Sequence, residues 1–163
     1  MRTFIACAAA ALLIAAPALA QQSLETYPQR SFGAWSVYGF QGDCWMVNDN
    51  IGGASVSFST NPRDTDLYLA VENSAWRHIA ADANLDVRLS FAGSAAVYSA
   101  SGLARRGRGF SLFLKGAGDP RLTPLRAAPG LGVATLNVAL DVPLANAGPA
   151  FDYMRQCTEE IRK

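Results

Sequence analysis

Histidine occurs once in this 163-residue chain, at His78, cysteine occurs three times, and charged residues make up only 17% of the total. Each scarcity excludes a class of chemistry. A structural zinc site takes four ligands, chiefly Cys and His, and a thiol redox pair takes Cys-x-x-Cys; cysteines at positions 7, 44 and 157 with one histidine supply neither. Imidazole catalysis would rest on His78 alone, whose neighbours Trp76, Arg77 and Ile79 offer no serine or cysteine nucleophile, so His78 is assigned to a loop or the surface. There is no Asp-x-Asp-x-Asp-Gly calcium loop, and Gly107-Arg108-Gly109 lacks the lysine and hydroxyl of a phosphate loop. Asp64 and Asp66 sit beside Pro62 and Arg63, where turn hydrogen bonding accounts for them. No catalytic, cofactor-binding or metal-ligating residue is therefore assigned.

Long apolar runs are also missing, with one exception at the start. Residues 1–20 carry Arg2, an apolar stretch from Phe4 to Ala16 and a small-x-small site at Ala18-Leu19-Ala20, the layout of a secretory signal peptide. Cleavage is expected before Gln21, leaving a product without a transmembrane segment in the periplasm or outside the cell. Loss of Arg2 leaves 13 basic residues against 13 acidic ones, a formal charge of zero. Binding to many phosphates calls for a basic surface, so nucleic acid is not an expected partner.

Cys7 leaves with the signal, and Cys44 and Cys157 remain. In an oxidising compartment two such cysteines are most simply one disulfide.

What is abundant is short-period alternation. Residues 21–31 form a polar, flexible mature N-terminus, and residues 32–163 a single β-rich domain. Phe32 to Phe40 has the aromatic and β-branched content of a strand, and Cys44 to Val47 resumes an extended run after a turn. Ala54, Val56 and Phe58 alternate with serines, Leu67, Leu69 and Val71 repeat the pattern, and these two segments pair as a hairpin. Leu85 to Phe91, Ala95 to Ser99 and Phe110 to Leu114 read as further strands, and residues 134–142 as the clearest single strand. Pro124 and Pro129 leave residues 121–132 as a loop with at most a short helical turn. The chain ends differently: Phe151, Met154, Cys157 or Thr158, and Ile161 recur every three or four residues behind Pro149, predicting an amphipathic helix with Cys157 on its buried stripe. The fold class expected is mainly β, an antiparallel sandwich or small barrel with a C-terminal helix packed on the sheet.

The Phe32-Gly33-x-Trp35-x-Val37 strand, the cysteine downstream at 44 and the Phe151-x-x-Met154-x-x-Cys157 helix resemble those of the invasion-associated locus B family, small exported alphaproteobacterial envelope proteins. The resemblance spans roughly residues 32–157 and implies a periplasmic or cell-surface β-rich domain. It carries over no catalytic residue. The expected role is a non-enzymatic, envelope-associated binding or accessory function; the alternative is a small secreted hydrolase or enzyme-inhibitor-like protein. Arg105, Arg106 and Arg108 are the candidate partner contact, because guanidinium forks suit an envelope protein or an anionic glycan or lipid head group; the alternative is that they solubilise a hairpin loop. Trp35, Trp45 and Trp76 are assigned to core or helix-sheet packing, with exposed ligand anchoring as the alternative. Aromatics and arginines converging on one exposed groove would favour binding, whereas a deep pocket holding His78 beside Asp and Ser would favour an enzyme.

Overall fold

The computed structural model describes residues 27–40, 42–60, 66–73, 75–76, 80, 82–105, 108–115, 119–136 and 138–161. The expected signal peptide, Asp64, His78 and Arg106 lie outside them. Among the described residues there are ten strands: β1 (Arg30–Phe32), β2 (Trp35–Phe40), β3 (Asp43–Ile51), β4 (Ala54–Thr60), β5 (Leu67–Glu72), β6 (Asn84–Phe91), β7 (Val97–Arg105), β8 (Gly109–Leu114), β9 (Gly130–Thr135) and β10 (Val138–Pro143). The described residues also form two helices, α1 (Leu122–Ala127) and α2 (Ala147–Ile161).

The strands form one antiparallel sheet in the order β1-β2-β3-β4-β5-β8-β7-β6-β9-β10. Cα atoms of β10 come within 8 Å of β3, seven places away in that order, so the sheet curls strongly on itself. Period-two alternation then sends one residue set inward. Trp35, Val37, Met46, Val56, Phe58, Leu69, Val87, Leu89, Phe110 and Leu112 are all fully buried in a single core. The C-terminal helix α2 packs on this inner face against β1 to β4. It buries Ala147, Ala150, Phe151, Met154, Cys157 and Thr158, the stripe its spacing predicts.

Cys44 and Cys157 are joined in a disulfide with their Cα atoms 6.0 Å apart, tying the start of β3 to the last turns of α2. Beside it the hydroxyls of Thr60 and Thr158 hydrogen-bond to each other, and Thr158 also donates to the Met154 carbonyl at 3.0 Å. Sheet and helix are thus pinned by one covalent and one polar contact at the same end.

Several segments depart from the sequence expectation: the strand expected at 95–99 runs from Val97 to Arg105, the loop expected over 121–132 holds α1 and the start of β9, and two expected strands are each broken by a turn. Residues 32–40 are not one strand, because Gly33 turns the chain at φ +63° and folds β1 back on β2 with Phe32 opposite Trp35. A side chain at Gly33 would also meet the Asn146 amide at 2.8 Å, so the turn closes directly onto the residue preceding α2. Residues 134–142 likewise divide into β9 and β10. Thr135 pairs with Val138 around a two-residue connection, and Leu136, at φ +46° and 68% exposed, sits in that turn rather than in a strand. Alternation alone could not reveal the break, because the residues flanking the turn continue the apolar-polar rhythm.

Before α1, the Asp119 carboxylate accepts from Arg121 Nε at 2.7 Å, from Arg121 Nη2 and from the Arg121 backbone N–H at 2.9 Å. The Arg121 hydrogen bonds hold this buried carboxyl below the usual carboxylate range. A depressed folded-state value adds stability that is present above the unfolded value of about 4 and is lost as pH falls through the folded one. Asp119→Asn is expected to lower stability by about 2 kcal/mol at neutral pH, with the gap to wild type closing on acidification in urea melts across pH.

Candidate functional site

The residues that alternate with the core set face outward, and the sheet register aligns them into rows. Tyr38 lies opposite Trp45, Trp45 opposite Ser59, Ser59 opposite Tyr68, and Tyr68 opposite Phe113. This single cross-strand row runs over β2, β3, β4, β5 and β8, roughly 19 Å at the usual strand separation. The Tyr68 and Phe113 rings touch, with centroids 4.5 Å apart and planes tilted by 59°, making a stepped rather than flat apolar surface. Phe113 is 54% exposed. Partial burial, with Asp49 adding to it, pushes the Tyr38 phenol above its ordinary range and keeps it a neutral hydroxyl.

The adjoining row is small and hydroxylated: Ser57 faces Ala70, Ala70 faces Ser111, and Ser111 faces Leu103. In the next row Glu72 and Arg105 flank Gly109 on either side. Gly109 cannot carry a side chain, since a Cβ there would fall 1.9 Å from the Val71 carbonyl oxygen. With nothing standing between them, Arg105 Nη1 reaches Glu72 Oε1 at 3.7 Å. Both side chains are about half exposed, 51% and 49%, so the pair contributes less than about 1 kcal/mol to stability while holding the two groups in place.

Except for Tyr38, Ser57 and Gly109, the residues of these rows line an open groove of about 1000 Å³ on the outer face of the sheet. Trp45, Tyr68 and Phe113 supply its aromatic part; Glu72, Arg105 and Arg108 lie at its charged end, with Asp43 and Asp82 also in the lining. Of the three arginines singled out by sequence, Arg105 ends β7 and Arg108 occupies the turn into β8, where its backbone N–H donates to the Arg105 carbonyl at 2.9 Å. Both reach the groove. The three tryptophans separate: Trp35 is fully buried, Trp76 stacks on Phe110 at 6.4 Å, and Trp45 is on the groove side of the sheet. Core packing was the expectation for Trp45, whose position two residues beyond Asp43 puts it on the opposite face from Cys44 and Met46. Tyr38, Tyr68, Phe113 and Glu72 were not singled out by sequence either. Their alternation with buried neighbours marks the outward face, but only strand order and register bring them side by side.

Among the described residues, no three His, Cys, Asp or Glu side chains are grouped as metal ligands, and no helix is long and apolar enough to cross a membrane. Comparison of the chain with family models, with curated proteins and with solved structures returned no match.

Proposed function

We propose that this protein is a non-enzymatic, exported binding or accessory domain of the bacterial cell envelope, and that it recognises its partner through the outer groove of the sheet. The observation carrying this reading is the convergence of Trp45, Tyr68 and Phe113 with Arg105 and Arg108 on one exposed surface. Amphipathic aromatic rings give contact area at low side-chain entropy, and guanidinium groups give directed hydrogen bonds; binding sites combine the two. The signal-like first 20 residues support the exported location, as does a disulfide of the kind that persists in oxidising compartments. The resemblance to the invasion-associated locus B family supports the same placement.

Co-sedimentation with an isolated envelope fraction tests the reading. The protein should pellet with the envelopes, and Trp45→Ala should leave most of it in the supernatant with its circular dichroism unchanged. Wild-type protein that stays in the supernatant, or a variant that pellets equally well, would overturn it.

A further inference from the structure

The charged residues of the groove's lining are acidic by one. Asp43, Glu72 and Asp82 stand against Arg105 and Arg108, so the site presents no basic field for a polyanion or for the phosphates of a lipid surface. A protein partner fits poorly for a different reason. The centres of protein interfaces are depleted of charge, and a flat partner covering the groove would have to desolvate the half-exposed Glu72–Arg105 pair. What the lining offers is aromatic rings beside small hydroxylated positions, Ser59 and Ser111, bordered by carboxylates and guanidinium groups.

A polysaccharide carries the matching chemistry. Each pyranose ring has an apolar C–H face that rests on an aromatic ring, and an equatorial rim of hydroxyls that donate to carboxylates and accept from guanidinium and hydroxyl groups. Spacing agrees as well. Positions in the Trp45-Ser59-Tyr68-Phe113 part of the row, which lines the groove, repeat at the strand separation of about 4.8 Å, and an extended β-1,4-linked chain advances by nearly the same distance per sugar. Ser59, the one non-aromatic position, gives a hydroxyl between two ring-bearing ones. Resting on the envelope-binding reading above, we infer that the groove is a polysaccharide-binding site, with a neutral, extended β-1,4-linked glycan lying across the strands along this row.

Calorimetric titration with cellohexaose and chitohexaose tests the ligand class, with a heparin oligosaccharide and phosphatidylglycerol vesicles as contrasts. At least one hexasaccharide should bind with little dependence on salt. Trp45→Ala and the more exposed Phe113→Ala should each weaken that binding about tenfold or more, the Phe113 site keeping the test valid should the Trp45 variant fold poorly. No heat with either hexasaccharide, binding confined to heparin or vesicles, or unchanged affinity in a folded Phe113→Ala protein would overturn the inference. Protease digestion of the envelope fraction separates this from the broader reading. Co-sedimentation that survives digestion agrees with a glycan, whereas pelleting with intact but not digested envelopes leaves envelope binding standing and rejects the polysaccharide.

Discussion

Phe58→Ala is expected to lower the unfolding free energy by about 3–5 kcal/mol, the range for removing a large aromatic from a packed core. Phe58 is fully buried on β4, with its ring centroid 5.8 Å from that of Trp35 and 4.9 Å from that of Phe151. It therefore joins β2 to the C-terminal helix. Truncation leaves a cavity between two elements that the sequence separates by more than a hundred positions, and neither can collapse into it without breaking its own pairing. Phe58→Leu keeps most of the volume and should lose no more than about half as much. Urea melts of the oxidised proteins report both values; a loss under about 1 kcal/mol for the alanine variant would mean that α2 is not packed here.

Replacing Cys44 and Cys157 together with alanine should lower stability by about 2–4 kcal/mol, since the bond closes a long loop in the unfolded chain. The two residues are 113 positions apart and both fully buried. Alanine rather than serine is the cleaner replacement, because a hydroxyl at either position would be buried. Non-reducing peptide mapping of the wild type should recover one intramolecular Cys44–Cys157 link. Phe58 and the disulfide both fasten α2 to the same sheet region, so the combined variant should lose less than the sum of the separate losses if α2 detaches as a unit.

The strands were legible where period two is uninterrupted. Val56 and Phe58, Leu67 to Val71, and Leu85 to Phe91 each announce a buried face, and the stripe through Phe151, Met154 and Cys157 announces the helix. Turns that preserve the rhythm were not legible. Leu136 looks like one more apolar strand position and instead occupies a connection. The groove was harder still. Arg105 and Arg108 were visible as a local cluster, whereas the aromatic row draws one residue from each of several strands. Side-chain identity fixes which face each residue takes, but strand order decides its neighbours, and that order is non-sequential where β8 rather than β6 lies beside β5. The Glu72–Arg105 pair depends on the same crossover.

The groove itself is tested most directly by tryptophan fluorescence during titration with the better-binding hexasaccharide. Trp35 is buried in the core and Trp76 is stacked on Phe110, which leaves Trp45 as the tryptophan placed to report on a ligand along the row. Saturable ligand-induced change in emission is expected for the wild type and should be abolished in Trp45→Phe, which keeps an aromatic ring and binds by calorimetry. An emission change that persists in Trp45→Phe, or a wild type that binds with no change at all, would place the ligand elsewhere and contradict the assignment of the outer groove.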